Sequence, residues 1–463
     1  MSETPHHHDH QHIVIVGGGF GGLYAALGLL RERRFQVTLI DRQNHHCFQP
    51  LLYQVATGGL SPGNIAMPLR SLLANHKRGR VLLDEVLDVH AHHQQIVLAS
   101  GTTIAYDHLI VAAGMRCNRF GHDAEWGTAA PGMKTLDDAL YLRRRIFENY
   151  ELAERCNDPR ERQRLLTFVI CGGGPTGVEM AGAIAELGRS LRRHEFHHLT
   201  ADDTKVILLE ASASILTTFP QPLQDRARQD LTDLGVDVRC GWMVDHVDHR
   251  RIVRATTSDQ ETREHIDHGL FIWAAGVQGV ALAQSLAIAS NESLKPGGRV
   301  LVDEYCRLPG HPHIAVIGDL AYHPDHRDPL PLQERRALPG IAPVAMQQGR
   351  YLAKRLRREL RGRAVKPFRY RDKGAMAVIG RNRAVGVTGP LKMRGRLAWW
   401  AWLFIHIMYL SGTQNRILVL LQWAWAFFSR NRGARLITGA ELTEQALLSR
   451  RRSAGAPAHD AAD

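Results

Sequence analysis

Two glycine clusters and two acids carry the first chemical signal. In "HIVIVGGGFGGLYAALGLL", Gly17, Gly19 and Gly22 fit the spacing G-x-G-x-x-G, and Asp41 follows 22 residues after Gly19 at the end of "FQVTLID". The spacing recurs at Gly172, Gly174 and Gly177 in "LLTFVICGGGPTGVEMAGAIAEL", and "TKVILLE" ends on Glu210. Glycines so placed let the backbone approach a pyrophosphate while a helix N-terminus faces its charge. The acid can accept both ribose hydroxyls of an adenosine. Glu210 would also repel a 2′-phosphate, so the second copy is expected to prefer NAD(H). Two such sites in one chain imply that electrons pass between two nucleotide cofactors.

The elements that must position these residues are legible beside them. Each glycine cluster lies between a β-branched apolar run and a helix-forming run, and each acid closes a second apolar run. A lone glycine pattern is weak, but strand, turn, helix, strand and acid in order are specific. A polar insertion, "RRHEFHHLTADD", lengthens the second crossover. Late in each copy a strand runs into Ala-Ala-Gly, "YDHLIVAAGM" with Gly114 and "DHGLFIWAAGV" with Gly276. Bare backbone at those glycines would let a nucleotide pass. "HIAVIGDLA" then presents Gly318 and Asp319 after another apolar strand. The expected fold class is α/β, with two Rossmann-like dinucleotide-binding domains.

Composition narrows the class further. The 463 residues carry a formal net charge of +12, and from Arg350 to Arg396 there are 16 Lys or Arg against Glu359 and Asp372. That band suits an anionic lipid surface; nucleic acid is not expected, since no recognised binding motif accompanies the charge. Arg350, Arg355, Arg357 and Arg358 are read as a solvated or lipid-facing side. Six scattered cysteines form no C-x-x-C, which argues against a disulfide scaffold or a zinc site. His45 and His46 are adjacent and share no helical face, so no metal is expected there. The N-terminus, "MSETPHHHDHQH", is read as a frayed tail without a signal-peptide pattern.

The stretch from Leu397 to Ile437 holds five tryptophans and almost no acid. Leu397–Leu410 would reach ~21 Å as a helix, against ~30 Å for a bilayer core. Ile417–Phe428 is shorter, and "SGTQNR" between them reads as a polar break. Trp399, Trp400, Trp402, Trp423 and Trp425 suit a headgroup boundary, and Arg394, Arg396, Arg430 and Arg432 can meet lipid phosphates. The expectation is a C-terminal amphipathic helical membrane-binding region that lies in the interface, with part of the first helix packed on the protein or on a second chain.

The two fingerprints, the Ala-Ala-Gly strands and the "GD" strand together resemble the two-dinucleotide-binding-domain flavoproteins. "FQPLLYQVATGGLSP", "GVEMAGAIAEL", "PVAMQQGRYLA", "AMAVIGRNRAVG" and the tail narrow the resemblance to type II NADH dehydrogenases, the single-subunit NADH:quinone oxidoreductases. The resemblance implies non-covalent FAD in a first domain split around an NADH domain, with a membrane quinone as acceptor. It implies FAD contacts at Gly17, Gly19, Phe20, Gly22, Asp41, Arg42, Gly114, Gly318, Asp319, Ala345 and Met346. It implies NADH contacts at Gly172, Gly174, Gly177, Glu210 and Gly276. Glu179 matches a carboxylate that links the nicotinamide and quinone sides in that family. Gln347 matches the last glutamine of an A-Q-x-x-x-Q motif, whose first glutamine is replaced here by Pro343.

The expected boundaries are residues 1–10 for the tail, 11–120 and 296–390 for the FAD domain, and 121–295 for the NADH domain with a core at 165–280. The membrane-binding helices follow at 391–437 and a C-terminal tail at 438–463. The expected activity is non-proton-pumping transfer of a hydride from NADH to FAD and of two electrons to the quinone. The expected location is peripheral, on the cytoplasmic face of a bacterial inner membrane, with a homodimer through the C-terminal region. Glu179 and Gln347 are the candidate catalytic residues. Sulfide:quinone oxidoreductase chemistry is the competing enzyme reading, but it relies on cysteines and none follows Cys306. A membrane-attached NADH-sensing flavoprotein is the non-enzyme alternative.

Overall fold

The computed structural model describes residues 10–194, 196, 198–200, 203–248, 252–257, 259, 261–331, 334–429 and 433–438. Residues 1–9 and 439–463, with most of the expected tails, and the flanking Arg430 and Arg432 lie outside the described residues.

Strand β1 (Gln11–Val16) leads through the first glycine turn into helix α1 (Phe20–Leu29) and strand β2 (Phe35–Asp41). The motif "FQPLLYQVATGG" coils into a short helix, α2 (Leu52–Ala56), and strands β3 (Gly79–Leu83) and β4 (His108–Val111) follow. Helix α3 (Leu136–Glu154) opens on a capping box, in which Thr135 and Asp138 satisfy one another's backbone N–H. It leads to the second copy: β5 (Thr167–Cys171), α4 (Pro175–His194), β6 (Lys205–Glu210), β7 (Val236–Cys240) and β8 (Leu270–Trp273). These strands pair in parallel in the order β7-β6-β5-β8. Their apolar runs are buried on both faces, which is what a helix-covered parallel sheet requires.

The chain then returns to the first sheet. Strand β9 (His311–Val316) pairs in parallel with β4, Ile314 opposite Leu109, and completes the order β9-β4-β1-β2-β3. An antiparallel edge, Arg307–Leu308, flanks β9. Helix α5 (Ala342–Glu359) lies across α1 at glycine contacts. A Cβ on Gly349 would strike the Gly21 carbonyl, and one on Gly28 would lie 2.5 Å from the Ala353 Cβ. This crossing brings the "PVAMQQG" turn of α5 beside the glycine turn of α1.

Three antiparallel strands, β10 (Ala375–Gly380), β11 (Arg383–Thr388) and β12 (Leu391–Arg394), follow and pack on α4. Gly182 permits this contact, since a Cβ there would enter the Ile379 carbonyl. Residues 391–394, read above as part of the helical segment, therefore form a strand. Their backbone pairs with β11, and Lys392 and Arg394 are left exposed.

Helices α6 (Gly395–Tyr409) and α7 (Thr413–Ser429) end the described tail. The expected polar break is shorter than "SGTQNR". Gly412, at φ +83°, makes the turn, and Thr413 to Arg416 already form the first turn of α7. Asn415 donates to the Gly63 carbonyl and Arg416 to the Leu410 carbonyl, which fixes that turn against the body. No helix among the described residues is long and apolar enough to cross a membrane. Arg355 also departs from expectation. It is 2% exposed, donates to the Tyr305 carbonyl at 2.6 Å and faces Glu359, so it ties α5 to the loop before β9.

Candidate active site

A cleft of about 940 Å³ runs between the two sheets and the tail. It starts at the first fingerprint. Gly17 (φ +101°) turns under the Ala112 carbonyl, where any side chain would collide, and Gly22 packs against the Gly17 carbonyl from α1. Gly19 has open space in front of it and lines the cleft. Asp41, at the end of β2, accepts from the Gly18 N–H at 2.5 Å and from the Gln43 N–H at 2.7 Å. Burial raises its pKa and these two N–H groups oppose the rise. Each carboxylate oxygen retains acceptor capacity for a hydroxyl.

Phe20, Arg42, Gly114, Gly318, Asp319, Ala345 and Met346 line the same cleft. Gly114 (φ +68°) also faces open space. The Gly318 N–H is held at 2.7 Å by the side-chain oxygen of Gln348. Asp319 faces Lys134 Nζ at 3.5 Å.

The second fingerprint repeats the geometry. Glu210 accepts from the Gly173 N–H at 2.5 Å and from the Ser212 N–H at 2.7 Å, as Asp41 does in the first copy. Gly174 faces open space, and a Cβ on Gly177 would enter the Gly172 carbonyl. Gly177→Ala is therefore expected to push turn and helix apart at a cost of about 1–3 kcal/mol. The KM for NADH should rise about tenfold while the purified protein keeps its flavin absorbance. Gly276 lies beside the ring of Phe120, and, like Gly172, Gly174, Gly177 and Glu210, it is not part of the cleft lining.

Glu179 sits on the first turns of α4, just beyond this fingerprint, and reaches the cleft. Among the described residues, the hydrogen-bond donor that approaches its Oε1 is the Val378 N–H of β10, at 3.4 Å. Enclosure by the protein pushes its pKa up to about 8, so the carboxyl carries its proton near neutral pH.

Gln347 departs from expectation. It does not line the cleft, and its amide makes two bonds of 3.0 Å to the backbone N–H and carbonyl of Arg371. Helical phase is the reason: Ala345, Gln348, Gly349 and Leu352 form the buried stripe of α5, and Gln347 is rotated out of it. Pro343, in place of the expected glutamine, does line the cleft.

Lys134, Lys373, His406 and Tyr409 are among the lining residues that the sequence did not single out. Lys134 immediately precedes the Thr135 capping box, a signal that fixes its position but not its role. Lys373 Nζ donates to the Tyr409 hydroxyl at 2.6 Å and joins the loop before β10 to α6. A single cysteine, Cys47, lines the cleft, and burial pushes its thiol up to about 12. A dithiol pair is thus missing from the cleft lining.

The fold and site define a class. Residues 11–349 match the family model described as pyridine nucleotide-disulphide oxidoreductase. A type II NADH:quinone oxidoreductase, Ndh, of Mycobacterium tuberculosis is 41% identical over 92% of this chain and 90% of its own. A second from that organism, NdhA, is 42% identical over 92% and 89%. The chain belongs to the type II NADH:quinone oxidoreductases. In fold it is similar to the NDH2 of Plasmodium falciparum, solved in complex with NADH, with a TM-score of 0.82 at 21% identity over 93% of this chain and all of that one. The sulfide:quinone oxidoreductase of Aquifex aeolicus shares the fold more distantly, with a TM-score of 0.67 at 16% identity over 94% of each chain.

The family implies FAD, and the cleft fits it. Bare backbone at Gly19 and Gly114, the N-terminus of α1 and the Asp41 carboxylate form a cradle for an extended dinucleotide, in a cavity of dinucleotide scale.

Proposed function

We propose a residue-by-residue account of how this chain oxidises NADH with a quinone. The reaction is NADH + H⁺ + quinone → NAD⁺ + quinol, with FAD between the two substrates. One observation carries the account: a single cleft is lined by the first fingerprint, by Pro175, Thr176 and Glu179 at the head of α4, and by Ile405, His406 and Tyr409 of the tail. The first fingerprint, the head of α4 and the tail thus share one space.

When bound, FAD accepts a hydride and passes on two electrons. The chain supplies position and protons. Asp41 would hold the adenosine ribose and the α1 N-terminus the pyrophosphate, with Asp319 and Lys134 beyond them. Glu210 would hold the NADH ribose. Ala345, Met346 and the head of α4 would bound the ring end, and Glu179 would keep a proton there for the acceptor.

The tail's second face supports attachment to lipid. Leu397, Trp400, Phe404, Met408, Ile417, Leu421 and Trp425 are exposed apolar side chains, next to the exposed Arg394 and Arg396. A patch of this kind marks an interaction surface. Our reading is a peripheral enzyme on the cytoplasmic face of a bacterial inner membrane, drawing its quinone from the bilayer. A homodimer through this face is the second reading of the same patch.

The test is a purified, yellow protein that oxidises NADH only when a quinone is added. NADH is expected to be favoured over NADPH by about tenfold or more in kcat/KM, since a charge clash of about 1.4 kcal/mol suffices for that. Glu210→Gln keeps an acceptor for the Gly173 N–H but removes the charge, and should narrow the gap. Equal use of both nucleotides by the wild type would reject the role of Glu210.

A further inference from the structure

His406 enters the cleft from α6. Its Nδ1 lies 2.7 Å from the Trp402 carbonyl, one turn back. A carbonyl oxygen only accepts, so this bond exists only when Nδ1 carries the hydrogen. Nε2 is then a bare lone pair. The ring is stacked on the Trp402 indole, 4.1 Å between centroids at 28°, and meets Phe48 edge-on at 6.1 Å. Its orientation is therefore set from three sides. Burial among these rings pushes the imidazole pKa down to about 4, so it stays neutral while the enzyme works. Nε2 has no hydrogen-bond partner among the described residues, and the side chain lines the cleft beside Ile405 and Tyr409.

We propose that His406 Nε2 accepts a hydrogen bond from the hydroxyl of the quinol as it forms, so that this end of the cleft distinguishes reduced from oxidised quinone. The inference rests on the quinone reading of the cleft. A quinone carbonyl presents only lone pairs and would face another lone pair at Nε2. Reduction adds two electrons, delivered from NADH, and two protons, and converts each carbonyl to a hydroxyl. The new O–H can point at Nε2. Because the imidazole is neutral and its only N–H is engaged by Trp402, it donates no proton; the proton-bearing carboxyl in this cleft is Glu179. The division is an acid at the head of α4 and an acceptor on the tail helix.

Two variants separate the role of Nε2 from mere support of α6. In His406→Asn, the amide can still donate to the Trp402 carbonyl, but the group at the Nε2 position is lost. In His406→Gln, an amide oxygen can reach that position. The probes are a short-chain benzoquinone and its quinol, with the quinol assayed as a product inhibitor of NADH oxidation. His406→Asn is expected to raise the quinol inhibition constant three- to tenfold, the worth of one neutral hydrogen bond. The quinone KM should change less than twofold, and His406→Gln should restore at least part of the loss. Unchanged quinol inhibition in His406→Asn, or equal rises in quinone KM and quinol inhibition in both variants, would overturn the proposal. Failure of the wild type to reduce any quinone would sink the reading beneath it, and that is seen before either variant is made.

Discussion

Glu179→Gln is expected to cut quinone-dependent turnover about 100-fold while NADH still bleaches the flavin at close to the wild-type rate. The size follows from the usual worth of a positioned general acid, ~10²–10⁴. The asymmetry follows from where the proton is needed: quinol formation consumes protons, whereas hydride leaves NADH with its own. A glutamate that did no more than complement a helix dipole near its N-terminus would have a lowered pKa. Here enclosure wins and the pKa goes up to about 8, opposed only weakly by the distant Val378 N–H.

Two pH series check this assignment. Wild-type quinone turnover should fall as pH rises through about 8, where the carboxyl loses its proton, and the glutamine variant should lack that limb. Stability carries the same sign. Between the ordinary glutamate pKa of 4.5 and about 8, the folded protein holds a proton that the unfolded chain has released. Stability contributed by this group therefore declines as pH rises across that window. The Tm of Glu179→Gln should gain on the wild type from pH 5 to pH 8. A flat Tm difference together with normal turnover would remove Glu179 from the mechanism.

How much of this site the sequence revealed depends on how local each constraint is. The fingerprint glycines were legible because turn, carbonyl and helix start lie within six residues, and Asp41 and Glu210 end adjacent strands of the same unit. Gln347 was misplaced because a motif specifies a residue type, whereas the phase of α5 decides which of two neighbouring glutamines turns inward. Gln348, the one turned inward, holds the Gly318 N–H. Arg355 was read as a surface charge because its partner, the Tyr305 carbonyl, is 50 residues away in sequence. Lys134 and His406 were invisible for a similar reason: the cleft that gives them a role is assembled from segments hundreds of residues apart.

The tail was legible in composition but not in its division of labour. Ala398, Trp402, Leu410 and Val419 are buried in the same core as Phe48, Leu51 and Val178. The Trp423 indole N–H donates to Gln54 on α2 at 2.8 Å. Truncation at Trp399 would therefore open the core and strip His406 and Tyr409 from the cleft, and loss of membrane binding in such a chain would say little about lipid. The informative variant charges the outer face alone. Phe404 and Leu421 are 63% and 60% exposed and neither lines the cleft. Phe404→Glu with Leu421→Glu removes two side chains worth ~1.5–3 kcal/mol each on burial, so partitioning onto vesicles should fall at least about 100-fold, or ~3 kcal/mol. Turnover with a water-soluble quinone should be unchanged, and turnover with a long-chain quinone held in the vesicle should fall in step with binding. Anionic vesicles should bind the wild type more tightly than neutral ones, with a preference that salt weakens, because Arg394 and Arg396 border the apolar face. If the double variant keeps its vesicle binding but sediments at half the wild-type mass, the face belongs to a second copy of the chain and the lipid contact must be sought elsewhere.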